Sequence, residues 1–127
     1  MVIYYYHMYM PVVYEFADYK LFIKAKIEAT PENRGLIGKL AEACGCQRSY
    51  FSKMLNEYVH LLPDHAFGLC EFWQMSEDEE QYFMLLLEHA RSGSQNFRKR
   101  LEKKLKKIKF DQENLKKRLN RTNLQDA

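Results

Sequence analysis

Ile37 to Asn56, IGKLAEACGCQRSYFSKMLN, reads at helical spacing as two short amphipathic helices with a glycine between them. Leu40, Ala41 and Cys44 fall at i, i+1 and i+4, one apolar face of a first helix. Gly45 can take the positive φ that ends such a helix, and Cys46 then turns inward beyond it. Tyr50, Phe51, Met54 and Leu55 repeat at i, i+1, i+4 and i+5, a second apolar stripe. That stripe leaves Gln47, Arg48, Ser49, Ser52, Lys53 and Asn56 facing outward, all hydrogen-bonding or cationic, with no acid before Glu57.

Amide, hydroxyl, guanidinium and ammonium groups are what base edges and phosphates require, and a short helix after a tight turn is a shape that enters the major groove. The segment resembles the helix-turn-helix of the Cro and lambda-repressor type. With Ile37 counted first, the small fifth residue is Ala41 and the ninth-position glycine is Gly45. The apolar fourth, eighth, tenth, fifteenth and eighteenth positions are Leu40, Cys44, Cys46, Phe51 and Met54. The small residue lets the two helices cross closely, and the glycine makes the turn. One departure is Ile37 itself, where that pattern carries a polar phosphate contact. The resemblance implies Arg48, Ser49 and Lys53 toward bases, Gln47 and Asn56 toward phosphates, Ser52 on the same face, and Lys39 as a weaker phosphate contact. The competing reading of this set is a solvated helix face.

Length and composition bound the rest. The chain of 127 residues is sized for one domain with a helical extension. Its 46% hydrophobic content, three prolines and five glycines suit a packed core rather than a disordered or collagen-like chain. No run of about 18 apolar residues would span a membrane, and the apolar N-terminus lacks the basic start of a signal peptide. Three cysteines, an odd count, make no disulfide framework, so a reduced, cytoplasmic protein is expected. The net charge of +3 is unevenly spread. Residues 1–94 hold 8 Lys/Arg against 13 Asp/Glu, a net −5, whereas residues 95–121 hold 12 against 3, a net +9.

In chain order, residues 1–13 form an aromatic-rich arm with Tyr4, Tyr5, Tyr6 and Tyr9, open to readings as an extended arm, a short strand or a docking segment. Tyr14 to Ala29 has apolar residues at Phe16, Tyr19, Phe22, Ile23 and Ile27, spacing that predicts a first helix of about four turns. Thr30-Pro31 ends it, because proline cannot continue a helix and pushes its predecessor to extended geometry. Pro63 and Asp64 open a helix reaching to Gln74, with Ala66 or Phe67, Leu69 or Cys70, and Trp73 inward. Ser76-Glu77-Asp78-Glu79 is a capping box for a helix from Glu77 to His89 that buries Tyr82, Phe83, Leu85 and Leu86. Its leading acids complement the helix dipole and need no catalytic explanation.

These flanks carry a second resemblance. Phe16-Ala17-Asp18-Tyr19-Lys20-Leu21-Phe22, the helix-turn-helix, Leu61-Leu62-Pro63-Asp64 and Glu79-Glu80-Gln81-Tyr82-Phe83 are similar to an uncharacterised bacterial family, read as regulators from sequence. Its pattern is a D-Y-[RK]-x-F helix, a helix-turn-helix, an N-L-S-P-like junction and an E-x-x-Y-F helix. The likeness covers roughly residues 14–110. The junction here, His60-Leu61-Leu62-Pro63, lacks the usual basic residue, asparagine and serine.

After Ser92-Gly93-Ser94 comes a long helix with Phe97, Leu101, Leu105, Ile108, Gln112, Leu115 and Leu119 along a near-heptad seam, Gln112 being a polar a-type position. About three heptads is marginal for an isolated coil, so the seam calls for a partner subunit or the chain's own body. Its cations track phosphates, dock on an acidic patch such as Glu77 to Glu80 of a second subunit, or simply stay solvated.

No metal or cofactor site is expected. Cys44 and Cys46 fall on inward positions, and His60 and His65 are not spaced with them as zinc requires. No glycine-rich phosphate loop, nucleophile elbow or zinc-protease motif occurs, so no enzyme is expected. The expected protein is all-α: a lambda-repressor-like five-helix bundle over residues 14–93, then a basic amphipathic helix over 94–127. Its expected partners are double-stranded DNA and a second copy of itself, without a membrane. The alternative is a protein-interaction module that keeps the helix-turn-helix shape with little DNA affinity.

Overall fold

A computed structural model describes residues 10–126. Among them the chain is all-α, with six helices, one 3-10 turn and no strand. The helices are α1 (Tyr19–Ala29), α2 (Leu36–Cys44), α3 (Arg48–Asn56), α4 (Pro63–Phe72), α5 (Glu77–Arg91) and α6 (Gln95–Asp126). Residues 1–9 of the aromatic arm lie outside the described residues.

The first helix is shorter than its apolar spacing predicts. Val13–Glu15 forms a 3-10 turn, Phe16 is extended, and α1 begins only at Tyr19. Two interactions compete with continuous helix here. The Asp18 carboxylate accepts the Lys20 N–H at 2.7 Å, the N-cap bond that short acidic side chains favour. The Tyr82 hydroxyl, from α5, donates to the Phe16 carbonyl at 2.8 Å. Phe16 still reaches the core, packing edge-to-face on Phe22 with ring centroids 5.4 Å apart.

Punctuation elsewhere follows local chemistry. Thr30 caps α1 in extended geometry before Pro31. Pro63 stands in the first turn of α4, and the His65 ring accepts the Leu62 N–H at 3.1 Å, a cap on that helix start. Ser76 and Glu79 exchange both bonds of the capping box, at 3.0 and 3.2 Å. α5 runs on to Arg91, and Leu87, absent from the expected core, is buried beside Leu86.

The core gathers Tyr19, Phe22 and Ile23 of α1 with Leu40, Phe51, Met54, Leu69, Phe83 and Leu86. Phe22 is its hub, edge-on to Phe83 at 5.8 Å and to Trp73 at 5.7 Å. α4 lies across α2 so closely that Gly68 has no room for a Cβ, which would stand 2.0 Å from the Ala43 carbonyl oxygen. α6, 32 residues and about 48 Å long, joins the same core by its first half, with Leu101 and Leu105 buried against the side formed by α5 and the 3-10 turn. No helix among the described residues is long and apolar enough to cross a membrane.

Candidate nucleic-acid interface

α2 and α3 are joined by Gly45, Cys46 and Gln47. Gly45 sits at φ 76°, ψ 29°, the left-handed region that glycine enters without a Cβ clash. The Gly45 N–H donates to Glu42 O and the Cys46 N–H to Ala41 O, both at 3.0 Å. This Schellman closure satisfies the last carbonyls of α2 and turns the chain sharply into α3. Ala41, at the crossing, is buried.

α3 is fixed by its apolar face and by one hydroxyl. Phe51 and Met54 are fully buried, and Tyr50 donates its hydroxyl to the His60 carbonyl at 2.5 Å. The chain leaving α3 is then tied to three other places. Lys20 of α1 donates to the carbonyls of Glu57 and Val59, each at 2.8 Å. Arg91, ending α5, donates to Leu61 O at 2.8 Å. The buried Tyr19 hydroxyl accepts the Leu61 N–H at 3.1 Å and lies 2.9 Å from His60 Nδ1. Having accepted from Leu61, the phenol gives its own proton to Nδ1, the assignment that uses every donor. Burial, with the charges of Lys20 and Arg91, lowers the His60 pKa and keeps the ring neutral, against a smaller opposing effect of Asp18. Burial likewise raises Tyr19 to about 12.

None of these anchors could be read from the sequence as roles. His60, Tyr19 and Arg91 are far apart in the chain. The segment after α3 is held by the buried Tyr19, the half-buried Lys20 and Tyr50, and the exposed Arg91.

On the other side of α3, Arg48, Ser49, Lys53 and Asn56 are exposed, as are Gln47 before it and Lys39 on α2. Among the described residues, the side chains of Arg48, Ser49 and Lys53 make no hydrogen bond or ion pair. Gln47 is the N-cap of α3 by its backbone, while its side chain makes no capping bond. Two members of the set differ. Ser52 is half-buried, and the Asn56 amide turns back to donate to the Ser52 carbonyl at 2.9 Å. Ile37 is half-buried against the core. Beside the start of α3 an open cleft of about 450 Å³ is bordered by Cys46, Gln47, Tyr50, Leu62 and His65.

Cys44 and Cys70 are buried, and Cys46 is half-buried at the edge of that cleft. Burial pushes Cys44 and Cys70 up to about 12 and raises Cys46, so all three are protonated near neutral pH.

Comparison with known protein families, with characterised proteins and with solved structures finds no match. The reading of this face rests on its residues.

Proposed function

We propose that this chain is a DNA-binding transcriptional regulator of the lambda-repressor type, cytoplasmic and dimeric, that places α3 in the major groove. What carries the reading is one surface. A helix pinned from behind by Phe51, Met54 and the Tyr50 hydroxyl presents Arg48, Ser49 and Lys53 outward, uncommitted and without an acid among them. Arg and Lys in such a position donate to guanine O6 and N7 or to phosphate oxygens. One short helix offers few contacts, so two copies reading successive half-sites suit the affinity a regulator needs.

A protein-interaction module is the second reading, favoured by the half-buried Ile37 and by a body whose residues 1–94 carry net −5. Titration against mixed-sequence duplex at two salt concentrations separates the two. A regulator binds even non-cognate DNA weakly at low salt and loses affinity steeply as salt rises. Arg48→Ala with Lys53→Ala lowers that affinity roughly tenfold or more and flattens the salt slope by about one to two. No binding at low salt, or binding indifferent to the double substitution, sinks the regulator and leaves the interaction module.

A further inference from the structure

The last helix carries its charge where the fold leaves it bare. Residues 98–109, RKRLEKKLKKIK, hold eight cations and one acid over about 18 Å of α6. Leu101 and Leu105 are buried on the side formed by α5 and the 3-10 turn, so one face of this stretch is fixed and the rest is open to solvent. All eight cations are exposed, and among the described residues none of them makes an ion pair. The one acid is drawn back to the body instead, Glu102 lying 3.0 Å from His89 Nε2 of α5. The Ser94 hydroxyl accepts the Phe97 N–H at 3.2 Å and fixes the start of the helix. We infer that this array binds the phosphodiester backbone of nucleic acid. It adds a second contact surface to the reading above and stands on different residues.

The charges work against their own helix. At i,i+3 and i,i+4 spacing the stretch holds seven like-charge pairs, such as Lys99–Lys103 and Lys103–Lys107, against three opposite pairs, all through Glu102. Like pairs at this spacing destabilise a helix. A local rule broken without compensation inside the chain marks a surface kept for a ligand, here an anionic one. Charge density selects which anion. One cation falls about every 2 Å along this helix, close to the one phosphate per ~1.7 Å of duplex axis. Contact between them releases the counterions condensed on the nucleic acid, a gain that a sparsely charged protein surface does not offer. A lipid surface fits less well, because an interfacial helix buries a continuous apolar face and along this stretch the body already occupies it. Opposite the buried leucines, residues 98–121 offer a single large apolar side chain, Phe110, 62% exposed among the cations.

Fluorescence anisotropy of a mixed-sequence duplex titrated with the full chain, from about 50 to 200 mM salt, tests this. Lys99→Gln, Lys103→Gln and Lys107→Gln together remove one row of the array. They lower affinity by roughly tenfold or more and flatten the salt slope by about two to three. Arginine at the same three positions keeps both. Glutamine suits a helix about as well as lysine, so with like-charge pairs removed the thermal transition stays at or above that of wild type. A triple glutamine variant with the wild-type slope overturns the inference, and so does a lowered thermal transition, which would give the lysines a role in the fold. A wild type that prefers vesicles containing phosphatidylserine, or polyglutamate, to the duplex overturns it, as does one that binds none of the three. The two surfaces fail separately. Binding that survives Arg48→Ala with Lys53→Ala but not the three α6 changes keeps this surface and sinks the regulator; the reverse pattern keeps the regulator and sinks this surface.

Discussion

Gly68→Ala and Gly38→Ala are the same change of residue inside two helices, and they should move stability in opposite directions. Helix propensity alone favours alanine over glycine by about 1 kcal/mol in either place. At Gly38, in α2, nothing lies within 4 Å of the added Cβ, so propensity acts unopposed. At Gly68, in α4, the Cβ would sit 2.0 Å from Ala43 O, 3.0 Å from Ala43 C and 3.3 Å from Cys44 Cα. Those atoms are backbone of α2 and cannot rotate aside, so α4 must lift by about an ångström from a packed interface. Overpacking of that kind costs about 1–3 kcal/mol, occasionally more, and a lift that also loosens Ala66 and Leu69 belongs at the upper end. Net of propensity, Gly68→Ala should lose about 1–2 kcal/mol, and Gly38→Ala should gain about 0.5–1. For a chain of this size that is a fall of roughly 3–10 °C in Tm against a rise of roughly 2–5 °C. Urea denaturation of both variants with an unchanged m-value is the assay. A Gly68→Ala chain as stable as wild type would refute the claim that α4 bears on α2 backbone to backbone, and with it the account of what holds α2 and α3 in place.

Other expectations follow from the anchors of α3. His60 is depressed in the folded chain, so above the ordinary histidine value of 6.5 both states are neutral and the group adds no pH dependence. As pH falls below that value the unfolded chain binds a proton the folded chain resists. Stability therefore declines toward pH 5, and His60→Gln should remove part of that decline; parallel pH profiles for the two chains would contradict it. Gly45→Ala, at φ 76° in open space, should cost about 1–2 kcal/mol from left-handed strain alone, with Gly45→Asn in between, measured by the same urea titration. Ser76→Ala removes the hydroxyl that accepts the Glu79 N–H and should cost about 1 kcal/mol, seen as a Tm lower by roughly 3–5 °C.

Much of the chain was decided within a few residues of itself. Gly45 had to end α2 because only glycine enters that turn without strain, and Pro31, Pro63, the Ser76–Glu79 box and the Ser92–Ser94 break act through the next turn of backbone. Apolar spacing placed Tyr19, Phe22, Leu40, Phe51, Met54, Phe83 and Leu86 inward, since one face of each helix must leave water. The exposed set on α3 followed as the remainder. What local chemistry could not decide were the groups whose partners are distant in the chain. The start of α1 moved from Tyr14 to Tyr19 because Tyr82, 66 residues away, takes the Phe16 carbonyl while Asp18 takes the helix N–H. Tyr19 meets His60 across 41 residues, and Arg91 reaches Leu61 across 30. Gly68, which no local pattern singles out, is the place where two backbones touch. The α6 seam shows the division most plainly: its period is a property of the chain, but which leucines are buried depends on how far the body extends along it, and only folding sets that length.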